Sequence, residues 1–247
     1  MDTRIAVAGG TGLVGALVVE EVRRSGATPV VIARSRGIDL TDGTGLAEAL
    51  AGVDAVVDAS NVETLSGARS VAFFEAATGQ LLRAGAEAGV RHHVALSIVG
   101  CDRVDLPYYR GKRRQEELVA AGPVPWSVLR ATQFHEFAAQ LVQRSPRPLA
   151  LAPRMRSQPV AAAEVAAALV AAVLGEPAGL LPDLGGPRPE DTGRMVRDVV
   201  RTRGPRRLVV PLPMVGRVGR QVRAGGLLPG EGATLGTQTF DAWLAGG

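Results

Sequence analysis

Lysine is almost missing from this chain. Lys112 is its only lysine, so the remainder of its 28 Lys and Arg residues are arginines. The single cysteine, Cys101, excludes an internal disulfide and suits a reducing cytosol. Aromatics are sparse, at two Trp, two Tyr and five Phe, and the arginines are spread along the chain. That argues against the basic–aromatic interleaving of a nucleic-acid surface. A net charge of +4 and a pI near 10.1 therefore reflect arginine usage rather than a binding stripe. Neither the histidines nor the cysteine fall at metal-ligand spacing, so no metal is expected. The Ala-rich run 160–174 is too short to span a membrane and carries Glu164. The apolar N-terminus is interrupted by Gly9, Gly10, Gly12 and Gly15 and closed by Glu20 and Glu21, unlike a secretion signal. A cytoplasmic protein with no membrane or nucleic-acid partner is the expectation.

What is present is ample for a core. At 247 residues and 46% hydrophobic content, one domain is expected: a core over 1–145 and a C-terminal segment, 146–247. Short apolar runs at 4–8, 28–33, 53–60, 92–99 and 126–132 read as strands. Helices are expected at 12–25, 42–52, 68–88 and 108–121. Strands alternating with helices, with little polar alternation inside the strands, predict a doubly wound parallel α/β sheet with helices on both faces. In the first helix Leu13, Ala16, Leu17, Val19 and Val22 are available for the inner face. Beyond residue 145 the pattern loosens into a Pro- and Arg-rich stretch. Helices follow at 161–174 and around 190–203, then an amphipathic piece at 213–224 whose Arg217, Arg220 and Arg223 suit a solvated face.

"AVAGGTGLVG" places Gly9, Gly12 and Gly15 between the first strand and the first helix. A tight turn, a close approach to a pyrophosphate and close helix–sheet packing each require a missing side chain. The helix N-terminus then faces the anion. With Thr11 and Leu13, these glycines form the expected cradle of a dinucleotide. After the second strand stand Arg34, Ser35 and Arg36, where an NAD site usually carries a carboxylate. Guanidinium groups there suit a 2′-phosphate, so NADP(H) is expected over NAD(H). Asp39 leaves a contact with adenosine open.

Tyr108 and Lys112 are four residues apart, one turn on one face of a helix. Ser97 ends a strand upstream, where open α/β sheets bind ligands. A nearby ammonium favours the tyrosinate, and the phenol can exchange a proton with a substrate oxygen held by a serine while a nicotinamide transfers hydride. Lysine can do this chemistry and arginine cannot. The alternative is a lysine on a solvated face beside Arg110, Arg113 and Arg114.

The glycine triad, the arginine-bearing second strand, Ser97 and Tyr-x-x-x-Lys resemble the short-chain dehydrogenase/reductase superfamily. "GGTGLVG" with "LSIVG…YYRGKRRQEEL…WSVLRATQFHEF" is similar to its atypical branch, the NmrA-like NAD(P)H-binding proteins, over most of residues 3–175. The resemblance implies a Rossmann core whose C-terminal segment shapes a substrate pocket. It implies Ser97, Tyr108 and Lys112 as the catalytic set, with Lys112 also on the nicotinamide ribose. Tyr109 competes with Tyr108. Two functions are implied: an NADPH-dependent reductase of a small carbonyl, enone or quinone-like substrate, or a non-catalytic NAD(P)-binding sensor that regulates a partner. A lysine acting alone as general base is a third mechanism.

Four further positions carry open readings. Asn61 can line the cofactor channel or cap a turn. Gln133, Phe134 and His135 follow a strand end and can contact substrate, although His135 equally suits packing. His92 and His93 are structural or exposed. Cys101 has no evident activating base. Monomer and homodimer are both open.

Overall fold

In the computed structural model, which describes residues 3–203 and 206–246, the chain first runs β1 (Arg4–Ala8), α1 (Leu13–Arg24), β2 (Thr28–Ile32), α2 (Leu46–Leu50), β3 (Ala55–Asp58), α3 (Gly67–Glu87), β4 (His92–Ile98), α4 (Pro107–Ala121) and β5 (Trp126–Ala131). It continues with α5 (Glu136–Arg144), β6 (Leu149–Pro153), β7 (Arg156–Ser157), α6 (Ala162–Leu174), β8 (Gly179–Leu180), β9 (Leu184–Gly185) and β10 (Glu190–Asp191). The last elements are α7 (Thr192–Arg203), β11 (Leu208–Leu212), α8 (Gly216–Arg223), β12 (Thr234–Leu235) and α9 (Phe240–Ala245). Two compact units result: Met1–Ser97, Leu106–Arg130 and Ala163–Leu181 form one, and Ile98–Asp105, Ala131–Ala162 and Pro182–Gly247 form the other.

In the first unit the strands lie in the order β5-β4-β3-β1-β2, and β8 also pairs β5. β1 is parallel to β2 from Arg4↔Thr28 and to β3 from Ile5↔Ala55. β3 is parallel to β4 from Ala55↔His92. This is the Rossmann-type parallel sheet that the alternating pattern predicts. The chain leaves β1 for β2 on one side and returns to β3 on the other. The switch point therefore lies beyond the carboxyl ends of β1 and β3, where such sheets bind ligands. Ile32, Leu50, Val56, Leu81, Val119 and Val128 belong to the core that holds the sheet and helices together.

Helix α1 is rotated from the face read in the sequence. Val14, Gly15, Val18, Val19 and Val22 are buried, while Leu13 is 43% exposed. Gly15 sets this phase: a Cβ there would lie 2.1 Å from the carbonyl oxygen of Gly9. Helix α2 is shorter than expected because Gly43 and Gly45 take φ of +84° and +71°, and Gly45 is its N-cap.

In the second unit β6 pairs β11 in parallel from Leu149↔Leu208. Helices α5, α7 and α9 bury Val142, Met195, Val196, Val199, Phe240 and Leu244 in one core. Elements α5, β6, β11 and α9 lie where the sequence pattern was loose. Arg217, Arg220 and Arg223 are exposed along α8, as expected of a solvated face. Among the described residues no helix is long and apolar enough to cross a membrane. No group of three or more His, Cys, Asp or Glu residues there is placed to hold a metal ion.

Both histidines that open β4 are buried, His92 at 4% and His93 at 1% exposure. Burial holds the His93 imidazole below its usual pKa, against the opposing charge of Asp58. Burial likewise lowers His92. The unfolded chain takes up these protons near pH 6.5 and the folded chain does not. Stability is therefore full above that pH and is lost as pH falls below it. The melting temperature is expected to be lower at pH 5 than at pH 7.5, with the His93 ring titrating below pH 6.5. A His93 titration centred near 6.5 would contradict this.

Candidate active site

The glycine turn sits at the switch point. Gly9 has φ of +73°, and a Cβ on it would lie 2.8 Å from the carbonyl oxygen of Ala59, just beyond β3. Its carbonyl accepts from the Gly12 N–H at 2.9 Å, which closes the turn onto α1. Gly12 caps α1 with no side-chain hydrogen bond, and the first turn carries no acidic residue to compete with an anion. Thr11, Gly12 and Leu13 are exposed over that end. The hydroxyl of Ser60, 3% exposed, has no hydrogen-bond partner in this protein. A cradle of bare backbone with an orphaned hydroxyl beside it fits a dinucleotide pyrophosphate.

Arg34, Ser35 and Arg36 form a single 3₁₀ turn directly after β2, ended by Gly37 at φ of +76°. All three are exposed. Asp39 is held nearby: its Oδ1 accepts from the Thr41 N–H at 2.8 Å and hydroxyl at 2.7 Å. Those bonds, with a smaller contribution from the charge of Arg34, hold its carboxyl below the usual range.

Helix α4 begins with Pro107 at its first turn, a position that needs no N–H. Tyr108 is half-buried, and its hydroxyl donates to Asn61 Oδ1 at 2.8 Å. The same Oδ1 accepts from the Val62 N–H at 2.8 Å, so Asn61 also shapes the loop after β3. Tyr109 points inward at 3% exposure. Lys112 is 4% exposed, so it does not lie on a solvated face. Its Nζ donates to the Leu96 carbonyl at 2.8 Å and to Gln115 Oε1 at 2.9 Å, and sits 4.4 Å from the Phe74 ring centroid. The Ser97 hydroxyl donates to Glu116 Oε1. Arg130 grips Glu116 with two bonds, Nε to Oε1 at 2.9 Å and Nη2 to Oε2 at 2.6 Å.

Several of these partners escaped the sequence reading. Gln115 and Glu116 lie three and four residues after Lys112, the spacing that puts them on its face of the helix. Gly111 is the other missed signal. A glycine inside a helix costs about 1 kcal/mol, which implies a packing reason. A Cβ there would lie 2.1 Å from Ser70 Oγ and 2.7 Å from the Phe74 ring. Its absence lets α3 and α4 approach, so that Ser70 donates to the Tyr108 carbonyl at 2.9 Å and Phe74 comes beneath Lys112.

Gln133, Phe134 and His135 belong to the second unit. Phe134 bridges to Val160, and Gln133 accepts from the Val160 N–H at 2.9 Å. His135 is fully buried, with Nε2 3.0 Å from the Gln238 carbonyl and its ring beside Phe240 and Trp243. Cys101 is fully buried in the same unit.

Comparison with known proteins identifies the family. The profile of a family described as NAD(P)H-binding matches residues 35–176. No curated protein matches significantly. Among solved structures, the NADPH-dependent quinone oxidoreductase of Escherichia coli in complex with NADPH superposes with a TM-score of 0.71. It is 17% identical, over 98% of this chain and 99% of that one. A short-chain dehydrogenase/reductase superfamily protein of Agrobacterium tumefaciens with bound NAD gives 0.69 at 21% identity, over 98% and 95%. The triphenylmethane reductase of a Citrobacter species, complexed with NADP(H), gives 0.65 at 16% identity, over 91% and 89%. At such identities the structures speak for the fold, and the family profile covers more than half of the chain. The chain belongs to the family described as NAD(P)H-binding.

Proposed function

We propose that this protein is an NADPH-dependent reductase that transfers hydride to a small carbonyl, enone or quinone-like substrate. The observation that carries the reading is the burial of the only lysine, one helical turn from a half-buried tyrosine, at the carboxyl end of β4. Gly9, Thr11, Gly12, Leu13 and Gly15 would hold the pyrophosphate. Asn61 and Lys112 would reach the nicotinamide end of the cofactor. The bound nicotinamide supplies the hydride. Tyr108 is the group that exchanges a proton with the substrate oxygen, Lys112 tunes it, and Ser97, once its hydroxyl turns from Glu116 Oε1, donates to the same oxygen. Among the structural relatives, one is by name an NADPH-dependent quinone oxidoreductase and another a triphenylmethane reductase. The sensor alternative needs neither a buried lysine nor its partner tyrosine. Following NADPH oxidation across a panel of quinones, enones and carbonyls tests the reading, and tight NADPH binding with no turnover of any of them would favour the sensor.

Cofactor choice rests on Arg34 and Arg36, whose exposed guanidinium groups suit a 2′-phosphate. NADPH is expected to bind more tightly than NADH by about 1–3 kcal/mol, the scale of hydrogen bonds to charged groups. Arg34→Asp should erase or reverse that preference. Equal wild-type affinities in a fluorescence titration at fixed salt would overturn the assignment.

A further inference from the structure

The reading of Lys112 as the working lysine leaves open what fixes a flexible four-carbon side chain at one point. We propose that Asp58 and Gln115 are positioning residues that act on the site through Lys112. This inference rests on the proposed function only for its catalytic consequence.

Asp58 ends β3 and is fully buried, as is Gln115 on α4. Asp58 Oδ1 accepts from the Ser60 N–H at 2.9 Å, and Oδ2 accepts from Gln115 Nε2 at 2.8 Å. The other end of the same amide, Oε1, accepts from Lys112 Nζ at 2.9 Å. A carboxylate can only accept and an ammonium can only donate. The amide between them therefore has one workable orientation, and the opposite one sets oxygen against oxygen and N–H against N–H. Asp58 thus dictates which face Gln115 shows to Lys112. It also supplies the negative charge that a buried ammonium requires. With no exposed surface, neither residue can touch substrate, so both act through the lysine.

Other titratable or charged groups on the surrounding elements include Tyr108, Tyr109, Arg113 and Glu116 on α4, His92 and His93 on β4 and Glu75 on α3. Glu116 pairs with Arg130 and Glu75 with Arg114. The substitutions below leave all of them in place.

Because Lys112 is the only lysine, lysine labelled with ¹³C at Cε gives one side-chain resonance that reports its ionisation without any substrate. Asp58→Asn removes the charge at nearly constant shape and forces the amide to turn. The titration midpoint of Lys112 is expected to fall by about one pH unit, the scale of losing one nearby opposite charge. Adding Gln115→Glu to Asp58→Asn places a carboxylate back against Nζ, with Asn as its donor, and should restore most of the midpoint. Gln115→Met offers the same readout if Asp58→Asn does not fold, and should also lower the midpoint. An unchanged midpoint in a folded Asp58→Asn or Gln115→Met protein overturns the proposal, as does a double variant with no recovery. Because this readout needs neither turnover nor NADPH, a shifted midpoint in a protein that reduces nothing would sustain the relay and defeat the reductase reading.

Discussion

Lys112→Arg is expected to lower turnover of a proven substrate by about 10²–10⁴-fold, the range assigned to a positioned acid–base group. Arginine retains the charge, but its planar fork replaces a compact ammonium whose proton chemistry the reading requires. The closed surroundings sharpen this expectation. Nζ is enclosed by the Leu96 carbonyl, Gln115 and the Phe74 ring, and 4% exposure leaves a guanidinium no way out to solvent. Some loss of stability, about 1–3 kcal/mol, is expected from overpacking alone. Tyr108→Phe separates chemistry from packing. It removes a hydroxyl from a half-buried side chain and keeps the ring, which meets Phe74 edge-on at 6.0 Å. Turnover should fall comparably to Lys112→Arg while NADPH still binds. Tyr109→Phe should change turnover less. The double variant Lys112→Arg with Tyr108→Phe should be little worse than either single one, because residues acting as one unit are not additive. Full activity in both single variants would show that the catalytic assignment is wrong.

What could be read in the sequence depended on whether the cause was local. Glycines at 9, 12 and 15 announce a turn because the reason for each lies within a few residues: Gly15 packs on Gly9 itself. Strands β1, β3 and β4 were legible because burial on both faces leaves almost unbroken apolar runs. Strand β6 was masked by Pro146 and Pro148, and it pairs with β11 nearly 60 residues later, a partnership that no local pattern records. Helix α9 is only one and a half turns long, and its signal was the Thr239 cap, whose hydroxyl accepts from the Ala242 N–H. Around Lys112 the reading stopped at the tyrosine and the lysine. Gln115 and Asp58 are polar, and polar residues are read as surface unless a partner is known. Their partners are each other, 57 positions apart.

Gly12→Val is expected to block dinucleotide binding in a protein that still folds. Gly12 has φ of −79° and ψ of 176°, extended backbone that valine adopts freely. A Cβ there meets only the Gly9 carbonyl oxygen, at 3.3 Å, which a small adjustment relieves. The melting temperature should therefore fall by only about a few degrees. The two methyl groups would stand over the N-terminus of α1, where the pyrophosphate is proposed to lie. The Kd for NADPH should rise at least about 100-fold, equivalent to about 2.8 kcal/mol. Gly15→Val is the contrasting variant. Its Cβ would lie 2.1 Å from the Gly9 carbonyl oxygen and 2.9 Å from the Gly10 Cα, both backbone atoms that cannot step aside. That substitution should cost stability and binding together, whereas Gly12→Val should cost binding with little loss of stability. A Gly12→Val protein that binds NADPH with wild-type affinity would place the phosphate away from this helix, and the glycines would then serve the packing of α1 alone.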